Sequence, residues 1–564
     1  MQQLIECVPN FSEGRNMKVI GQITAEIKKV EGVKLLDVDP GRATNRTVVT
    51  FVGTPDAVCE AAFRVVKKAS EAIDMRNHHG EHPRFGATDV CPLVPVSNIT
   101  LDEVVVYARQ LAQRIGEELN IPVYCYEFAA FEEKRRNLAN CRQGEYEGLA
   151  KKMASKEWKP DFGPSVWNDR VALSGATAVG ARNFLIAYNV NLNTTSVRRA
   201  NAVAFDIREK GRVKREGDPV NGKIITDENG NPVNEPGLLK SVKAIGWFIE
   251  EYGIAQISIN LTDLSVTPLH IAFDAACEQA SRRGLRVTGS EIIGVVTLNA
   301  MLEAGRYFLE KQNRSTGIPE KEIIKIAVKS LGLSDLSPFI PEKKIIEYIM
   351  RDTSYKKLIQ MNLAAFADET ASESPAPGGG SVAAYTGALG VSLATMVANI
   401  SSHKAGWDSR WKEFSTWAEK GMNLQTELLS LVDEDTKAFN RIMEAMGLPK
   451  ETEADKAARK EAIQEATRVA IEIPFRIMKK SFESFEIIMA MVQKGNPNSV
   501  TDAGVGALCA CTAVKGAFLN VKINASGLDD KKYVKKILEE GSDIEASAIR
   551  MEAEILEMLR EKLV

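Results

Sequence analysis

The sequence predicts a multidomain protein with α/β and all-α parts: two α/β subdomains followed by an antiparallel helical bundle. Two observations support this prediction. Up to about residue 350, apolar strand-like runs alternate with amphipathic helical patterns, as is typical of α/β folds. After residue 352 the strand patterns stop and only helical patterns follow. A chain of 564 residues is long enough for about three to four domains.

The α/β part contains a similar succession of elements twice. Strands are predicted at 33–39 (VKLLDVD), 46–53 (RTVVTFVG), 183–192 (NFLIAYNVNL) and 255–263 (AQISINLTD). Helices are predicted at 55–74 and at 269–284, where Gly284 is a typical helix end.

We therefore expect two ferredoxin-like subdomains, at 1–182 and 183–349. The turn-rich stretch DENGNPVNEPG at 227–237 is either a loop between the two halves or a hairpin insert. A short polar linker is predicted at 350–357, before the helical domain at 358–564.

The helical domain is divided by five turn-like stretches, which are APGGGS, HKAGWDS, GLPKETEADK, KGNPN and ASGLDDKK. They leave about five helices with short connections, which is the pattern of an antiparallel bundle. Residues 374–403 contain no Asp, Glu, Lys or Arg, so a membrane helix is an alternative. Small residues throughout this stretch favour close helix packing inside a bundle instead.

Overall charge and cysteine content exclude several classes of protein. The net charge of −3 does not suggest a nucleic-acid surface. The eight cysteines form no CxxC pair, so neither a zinc ribbon nor a thioredoxin-type site is predicted. The N-terminal stretch lacks the pattern of a secretory signal, and we expect a cytoplasmic protein with reduced thiols.

Three of the five histidines lie within the stretch NHHGEHP. His78, Glu81 and His82 form H-x-x-E-H, a zinc-protease pattern that requires one continuous helix. Gly80 and Pro83 disfavour that helix, because proline costs about 3 kcal/mol inside a helix and restricts the preceding residue. A zinc-dependent metallohydrolase therefore stays only as the alternative function.

Two other interpretations of the cluster stay open from the residues alone. The histidines could pack in a turn, or one of them could act as an acid–base group on a polar loop beside a strand. Asp39, at the end of the strand LLDVD, could orient a histidine through its ring N–H. Spacing does not choose between these two interpretations.

Longer motifs resemble one family of folate enzymes. The resemblance to the formimidoyltransferase half of formimidoyltransferase-cyclodeaminase rests on ECVPNFSEGRN, LLDVD, TNRTVVTFVG, NHHGEHPRFGATDVCPLVPV, DFGPS and GARNFLIAYNVNL. The resemblance to its cyclodeaminase half rests on SPAPGGGSVAA, LVDEDTKAFN and INASGLDD. It extends from about residue 3 to beyond residue 530, with both halves in the family's order.

The resemblance implies a bifunctional enzyme of histidine degradation. The first site would transfer the formimino group of N-formimidoyl-L-glutamate to tetrahydrofolate and release glutamate. The second would close 5-formimidoyltetrahydrofolate to 5,10-methenyltetrahydrofolate and release ammonia. Polyglutamylated tetrahydrofolate is the implied co-substrate, and no metal is implied.

The family's transferase base is the last histidine of the HHGEH run, which is His82 here. N5 of the pterin must lose a proton as it attacks, and the departing glutamate nitrogen must gain one. One imidazole can serve both steps, for a gain of about 10² to 10⁴ in rate. Pro83 would then fix the backbone beside the base.

The resemblance also implies two glycine-bearing stretches that contact folate. The residues are Gly163, Pro164, Ser165, Ser174 and Gly175 in the first stretch, and Gly237, Leu238, Leu239, Lys240, Ser241, Val242, Lys243, Ala244, Ile245 and Gly246 in the second. Pro236 and Gly237 are expected to begin a helix whose free N–H groups favour an anion. Lys240 and Lys243 would share a face of it and hold the glutamate carboxylates of folate; a solvated lysine face is the alternative.

One helix of the bundle is predicted to place an acid on its apolar face. The apolar positions at helical spacing are Leu428, Val432, Phe439, Ile442 and Met446. Asp435 falls on the same face, whereas Asp433, Glu434 and Lys437 do not. Burial would raise the pKa of Asp435, although a structural, hydrogen-bonded Asp is an equal alternative. In the family, the second Asp of the V-D-x-D motif is the cyclodeaminase acid–base residue, which is Asp435.

Two further features of the bundle are candidate site elements. The PGGGS stretch leads into a helix, and Ser381 is its expected N-cap. N–H groups around Gly379 and Gly380 could meet the folate, with a plain helix cap as the alternative. Asp502 begins another small-residue helix and is a second-site candidate. The family forms rings of dimers, so the resemblance implies a homo-oligomer built from dimers, with no nucleic-acid or membrane partner.

Overall fold

The computed structural model describes residues 3–41, 45–80, 84–217, 222–351, 358–374 and 376–563. The strands are β1 Leu4–Cys7, β2 Asn10–Phe11, β3 Val33–Gly41, β4 Arg46–Gly53, β5 Thr88–Ser97, β6 Val123–Glu127, β7 Thr177–Ala181, β8 Ile186–Leu192, β9 Arg212–Val213, β10 Asn234–Glu235, β11 Val242–Ile249, β12 Ile254–Leu261 and β13 Val287–Ile293.

The helices up to residue 350 are α1 Met17–Ile27, α2 Pro55–Ala72, α3 Leu101–Leu119, α4 Leu138–Arg142, α5 Glu145–Ala154, α6 Asp169–Ser174, α7 Val197–Ile207, α8 Leu269–Arg282, α9 Leu298–Lys311, α10 Glu320–Leu331, α11 Pro341–Lys344 and α12 Ile346–Met350. The helices that follow are α13 Leu363–Thr370, α14 Gly379–Ser402, α15 Trp411–Met446, α16 Glu453–Lys494, α17 Val500–Ala525 and α18 Lys531–Leu563. An α/β region followed by a helical region is confirmed.

The chain forms two compact units. The first comprises Met1–Ala304 with Val328–Arg351, and the second comprises Gly305–Ala327 with Asp352–Val564. The predicted boundaries at 182, 349 and 357 stay predictions, and most of the predicted linker lies outside the described residues.

The first sheet of the α/β unit has seven strands. Strands β4 and β5 flank β1 and β2, β3 pairs with β4, and β7 and β6 continue the sheet beyond β5 in parallel. Strand residues alternate between faces. Ile5, Cys7 and Phe51 therefore join the core with α2 and α3, while Glu6 points to the other face.

The second sheet is antiparallel, in the order β11-β12-β8-β13. Helix α7 packs on β11 and β12, and α8 packs on β8 and β13. The turn-rich stretch 227–237 belongs to a hairpin between α7 and β11, in which β9 pairs with β10. It is therefore an insert in the second half and not a loop between the halves.

The helical unit is built around five long helices, α14 to α18, with α14 packed against α15 and α17. The small residues Gly387, Gly390, Ala394 and Ala398 of α14 are all buried, as predicted. A Cβ on Gly390 would lie only 2.9 Å from the Gly506 carbonyl oxygen, so the two helices approach backbone to backbone. Glycine on both sides permits this approach.

Two helical segments, 379–402 and 497–525, are long and apolar enough to cross a membrane by length and composition. More than half of each is buried, at 61% and 56% of the most apolar window. This burial favours the interpretation as packed bundle helices.

Residues 305–327 pack with the helical unit although they precede it by many residues. The Thr316 N–H donates to Ser415 Oγ at 3.1 Å, and Asn399 Nδ2 donates to the Gly317 carbonyl at 2.8 Å. A Cβ on Gly317 would lie 2.3 Å from the carbonyl carbon of Ala418. The helical unit therefore contains a segment from the preceding part of the sequence.

Candidate functional sites

The loop predicted to hold the transferase base is described on both sides of its centre. Glu81, His82 and Pro83 lie outside the described residues, so the role of His82 stays a prediction. The chain before them ends a short 3-10 turn at Asn77, and the chain after them enters β5.

His78 is a structural residue of this loop. Its Nε2 lies 2.9 Å from the Asn45 carbonyl oxygen, and its Nδ1 accepts from Arg84 Nε at 3.3 Å. A carbonyl can only accept, so Nε2 carries the proton and the ring is neutral. Burial lowers the pKa of His78, which keeps it in this form. Both ring nitrogens are occupied, which argues against His78 as a metal ligand.

Arg84 ties the loop to the start of α5. Its guanidinium donates to the two carboxylate oxygens of Glu147 at 2.7 and 2.8 Å and to the His78 carbonyl at 3.1 Å. The pKa of Arg84 is raised, chiefly by its hydrogen bond to Glu147. His79 and Gly80 line an open polar cavity of about 440 Å³ beside this pair. The loop that contains 81–83 is thus braced at both ends.

Charged residues extend from this loop along the sheet. Asp89 is fully buried; it accepts from the Phe85 N–H at 3.2 Å and pairs with Arg142. Burial raises the pKa of Asp89, and Arg142 opposes that shift. Asp39 lies exposed on β3 opposite Val48. Burial lowers the pKa of Arg46, and the negative charges of Asp89 and Asp39 oppose this shift. Whether Asp39 orients His82 stays a prediction.

The first predicted folate stretch divides into two places. Ser174 and Gly175 lie against the chain that follows residues 81–83, because the Ser174 carbonyl accepts from the Ala87 N–H and Gly175 forms an isolated β-bridge with Gly86. Gly175 has φ +64°, and a Cβ there would lie 2.3 Å from the Phe85 carbonyl oxygen. Gly163, Pro164 and Ser165 instead lie in a loop between α5 and α6, where Gly163 packs on Ile121 at the start of β6.

The second folate stretch was predicted as a helix, and this prediction is wrong. Residues 242–249 form strand β11, and a helix entry at Pro236–Gly237 is absent from the described chain. Gly237 and Gly246 pack against the backbone at Arg208 and Asn201, where a Cβ would come within 2.3 Å. Their role is therefore close packing on α7 and the turn that follows it.

The two lysines of this stretch consequently share no helix face. Lys240 lies in the loop before β11 with its Nζ 3.8 Å from Glu209. Lys243 and Ile245 lie on the exposed face of β11, while Val242, Ala244 and Gly246 face inward. Only the outward-facing residues of this strand can present side chains to a ligand.

The helical unit holds a partly open cavity of about 180 Å³. It is lined by the helix start Gly378–Gly380, by Asp435, Thr436 and Phe439 of α15, and by Asn520 and Asn524 of α17. Sequence analysis had proposed Asp435, Gly379 and Gly380 separately, and the fold brings all three into this cavity.

Asp435 is the acid of this cavity. Ser381 Oγ lies 3.0 Å from Asp435 Oδ2 and 2.9 Å from the Val432 carbonyl oxygen. Burial raises the pKa of Asp435, and the hydrogen bonds from Ser381 oppose the shift. A Cβ on Gly380 would lie 2.2 Å from Asp435 Oδ1, so only glycine leaves room for the carboxyl group there.

Two details differ from the sequence-based expectations. Ser381 is not the N-cap of α14; the cap is Gly378, and Ser381 is buried inside the helix against Asp435. The predicted apolar stripe is buried only in its first part, because Phe439 and Met446 are 40% and 48% exposed. They border open space at the end of the helix.

Asp433 and Asp502 also depart from expectation. Asp433 lies off the stripe but is buried, and its Oδ1 accepts from the Leu358 N–H at 2.8 Å. Asp502 lies in the first turn of α17, about 27 Å along the helix from Asn520. It does not line the Asp435 cavity, and its role as a site residue stays a prediction.

Three polar residues were missed by sequence analysis. Asn520 and Asn524 are four residues apart on α17, so they share the face towards Asp435, but nothing in the sequence indicates which helix this face meets. Glu6 is only 5% exposed, and no described residue donates a hydrogen bond to its carboxyl group. Burial raises the pKa of Glu6 to about 7, with Arg182 opposing. The sequence signal for Glu6 was an acidic residue between the apolar residues of strand β1.

Comparison with known proteins gives matches over nearly the whole chain. Three family descriptions match: formiminotransferase domain, N-terminal subdomain, over 4–182; formiminotransferase domain over 187–351; and formiminotransferase-cyclodeaminase over 362–543. The chain is 41% identical to the formimidoyltransferase-cyclodeaminase of Rattus norvegicus, over 95% of each protein.

Two shorter relatives match one part each. The glutamate formimidoyltransferase of Streptococcus pyogenes is 40% identical over 56% of this chain and 95% of its own length. The methenyltetrahydrofolate cyclohydrolase of Methylorubrum extorquens is 35% identical over 36% of this chain and 97% of its own length.

Proposed function

The chain belongs to the formimidoyltransferase-cyclodeaminase family, and we propose that its two halves catalyse consecutive steps on one folate. It is a bifunctional formimidoyltransferase and cyclodeaminase. The first half transfers the formimino group from N-formimidoyl-L-glutamate to tetrahydrofolate and releases glutamate. The second closes 5-formimidoyltetrahydrofolate to 5,10-methenyltetrahydrofolate and releases ammonia. The observation that carries the second assignment is the half-buried Asp435 in its cavity.

In the transferase half, His82 is the proposed acid–base group. It takes the proton from N5 of the pterin as N5 attacks the amidine carbon, and it returns a proton to the departing glutamate nitrogen. The described residues on either side support the proposal, because Arg84 donates hydrogen bonds to the ring and the carbonyl of His78. Neutral His78 has no free ring nitrogen, so it cannot take over this task.

In the cyclodeaminase half, Asp435 is the proposed acid–base group. Burial raises its pKa above that of an exposed aspartate, which makes the carboxylate a better proton acceptor during the reaction. The carboxylate takes the proton from N10 as N10 attacks the formimino carbon, and it then protonates the nitrogen that leaves as ammonia. Ser381 keeps the carboxyl group in place.

Tetrahydrofolate is the proposed co-substrate of both sites, without a metal. Ser174 and Gly175 are the folate candidates nearest the catalytic loop, and Lys243 and Ile245 are the outward-facing candidates of β11. The lysine can attract the glutamate carboxylates of folate, and the isoleucine can contact an apolar ring.

We extend the proposal to architecture, assembly and setting. In this proposal each α/β half is a ferredoxin-like subdomain and the helical unit is an antiparallel bundle. The four-stranded antiparallel sheet with α7 and α8 packed on it supports the proposal for the second half. The protein is a cytoplasmic homo-oligomer built from dimers and serves histidine degradation. Its eight cysteines are unpaired, which fits a reducing compartment.

Two single substitutions in the full-length enzyme test the assignment. We expect His82→Ala to abolish glutamate release while cyclodeaminase activity stays near normal, and Asp435→Ala to do the reverse. Glutamate release and the absorbance of methenyltetrahydrofolate are measured separately, the second from supplied 5-formimidoyltetrahydrofolate. Loss of both activities in either well-folded variant would contradict two independent sites.

A zinc-dependent metallohydrolase is disfavoured by the contacts of His78, because a zinc ligand needs a free ring nitrogen. Metal analysis of the purified enzyme tests this alternative directly, and stoichiometric zinc would favour it. The similarity to a cyclohydrolase gives a second candidate activity for the helical unit. Supplying 5,10-methenyltetrahydrofolate alone and following its disappearance tests that activity, with the uncatalysed reaction as the blank.

A further inference from the structure

The Asp435 cavity presents hydrogen-bond acceptors from two helices. Gly379 and Gly380 separate them: a Cβ on Gly380 would meet Asp435 at 2.2 Å, and a Cβ on Gly379 would meet Asn520 Nδ2 at 3.2 Å. The two glycines therefore allow Asp435 and Asn520 to approach the same helix start from either side. Asn524 lies one turn further along α17 and lines the same cavity.

The orientation of both asparagine amides is determined by backbone carbonyls. Asn520 Nδ2 donates to the Gly516 carbonyl at 2.9 Å, and Asn524 Nδ2 donates to the Ala470 carbonyl at 2.7 Å. A carbonyl cannot donate, so the NH₂ group and not the oxygen must face it. Each Oδ1 is left without a donor from any described residue. Two amide oxygens are thus available as acceptors beside one carboxyl group.

The cavity lining has a definite electrostatic character. Among the described residues that line it, none is Lys or Arg, and Asp435 is the only one that can carry a charge. Such a lining disfavours an anion and favours a cation that donates several hydrogen bonds. A carboxylate-bearing tail of folate has no complement here.

The proposed reaction supplies a ligand of this kind. A formimino group on nitrogen is an amidine, which is basic and therefore carries a proton at neutral pH. Its terminal nitrogen then presents N–H donors only. This inference rests on the proposed cyclodeaminase function, and it adds the group that recognises the nitrogen to be expelled.

We propose that Asn520 and Asn524 form, together with Asp435, an amidinium-selective pocket in which the two amide oxygens accept hydrogen bonds from the departing nitrogen. The pocket holds the amidinium so that its carbon faces N10. Asn520, which lies closest to the helix start, is the main specificity-determining residue. Asn524 receives the nitrogen as it moves away.

The charge balance of the step explains why acceptors and not cations line the pocket. N10 attacks the amidinium carbon and a C–N10 bond forms. The proton on N10 passes through the Asp435 carboxylate to the terminal nitrogen, the bond from carbon to that nitrogen breaks, and neutral ammonia leaves. Reactant, tetrahedral intermediate and methenyl product all carry one positive charge on the one-carbon unit. A lysine or arginine in this pocket would oppose all three.

Two substitutions at Asn520, one neutral and one negatively charged, test the proposal in the full-length enzyme. Asn520→Leu removes the acceptor with little change of size, and Asn520→Asp adds negative charge. The probe is formamidinium chloride as an inhibitor of the cyclodeaminase reaction, compared with sodium formate at equal ionic strength. Asn423→Leu is the matched control, because Asn423 is exposed on α15 and makes no described side-chain hydrogen bond.

We expect Asn520→Leu to lower cyclodeaminase kcat/KM at least tenfold and to weaken formamidinium inhibition at least threefold. Asn520→Asp should strengthen formamidinium inhibition, a change that structural damage would not produce. Transferase activity should stay unchanged in both variants and in the control. Thermal unfolding confirms that each variant is folded, and Asn524→Leu replaces Asn520→Leu if that variant unfolds.

The outcomes separate this inference from the proposed function. If Asp435→Ala is inactive but both Asn520 variants keep normal kcat/KM and formamidinium inhibition, the amidinium pocket is wrong and the acid–base assignment survives. If Asp435→Ala keeps its cyclodeaminase activity, the proposed function of this cavity fails first. Equal inhibition by formate and formamidinium would also overturn the pocket.

Discussion

Neighbouring acids of one helix have different tasks because of what surrounds them. Asp433 receives a backbone N–H from Leu358 and is a structural acceptor. Asp435, two residues on, faces a cavity, and among the described residues its hydrogen-bond partners are the Ser381 hydroxyl and backbone N–H. Desolvation raises its pKa, which is the property expected of the proposed proton carrier. The difference in partners, and not the residue type, separates the two roles.

Glu6 is also a buried acid with a raised pKa, although no function is proposed for it. It leads to a prediction for stability. Burial raises its pKa from about 4.5 to about 7 in the folded state. Between these two values the folded state holds a proton that the unfolded state releases, so stability falls as pH rises. The total loss is roughly 3 kcal/mol, and it is complete above pH 7.

We therefore expect Glu6→Gln to be more stable than the parent at pH 8, with the difference shrinking below pH 5. The unfolding midpoint of the transferase half in urea, followed at both pH values, measures this. A pH-independent difference would show that the side chain is paired in the folded state.

At the scale of elements, the start of α14 depends on which glycine faces which neighbour. Gly378 caps the helix and has open space around its Cα, whereas Gly380 faces the Asp435 carboxyl group. The PGGGS stretch therefore owes its glycines to close approach by α15 as well as to backbone freedom. If backbone freedom alone mattered, the same substitution would have a similar effect at each of the three glycines.

This difference predicts unequal effects of the same substitution. Gly380→Ala places a methyl group 2.2 Å from the present position of Asp435 Oδ1, so the carboxyl group must move. We expect cyclodeaminase kcat to fall at least tenfold, because a displacement of about 1 Å can cost 10²-fold. Initial rates of methenyltetrahydrofolate formation measure the effect.

Gly378→Ala is the matched control, since a Cβ at that position meets nothing within 4 Å. Its activity should stay within about twofold of the parent, with a small loss from a poorer helix cap. Similar losses in both variants would mean that the stretch matters through its flexibility and not through the approach of Asp435.

At the scale of the whole molecule, chain order and packing do not coincide. Residues 305–327 precede the α11 and α12 helices of the α/β unit, yet they pack in the helical unit. Backbone and side-chain hydrogen bonds join Thr316 and Gly317 to α14 and α15. Stability of the cyclodeaminase half therefore depends on sequence that family descriptions assign to the transferase domain.

Gly317→Ala tests this dependence. A methyl group at this position would lie 2.3 Å from the Ala418 carbonyl carbon, and backbone cannot yield as a flexible side chain does. We expect a loss of about 1–3 kcal/mol, seen as a lower thermal midpoint for loss of cyclodeaminase activity than for loss of transferase activity.

Gly21→Ala is the control, because Gly21 lies inside α1 with open space around it. Alanine is the better helix former, so this variant should gain up to about 1 kcal/mol. A Gly317→Ala enzyme in which both activities are lost at the parental temperature would contradict the packing of this segment.

Much of the fold was predictable because local patterns record which face of an element is buried. The strands at 33–41 and 46–53 and the helix at 55–72 were predicted from alternation and helical spacing within a residue or two. The same signal was present in the second folate stretch, where Val242, Ala244 and Gly246 alternate with outward-facing residues. The predicted helix rested on Pro236 and Gly237 as a helix entry, and it was wrong because the residues that follow pair with β12.

The sequence by itself determined the class of the two parts and the family, and it predicted that Asp435 lies on the apolar face of its helix, because these depend on periodicity and on motifs within one element. Only the tertiary structure decided that Ser381 holds Asp435, that Asn520 and Asn524 face it, and that 305–327 belongs with the helical unit. A periodic pattern shows that a face is buried but not what it is buried against. That choice is made by long-range packing among many apolar faces of similar composition, where close contacts at single glycines select one arrangement.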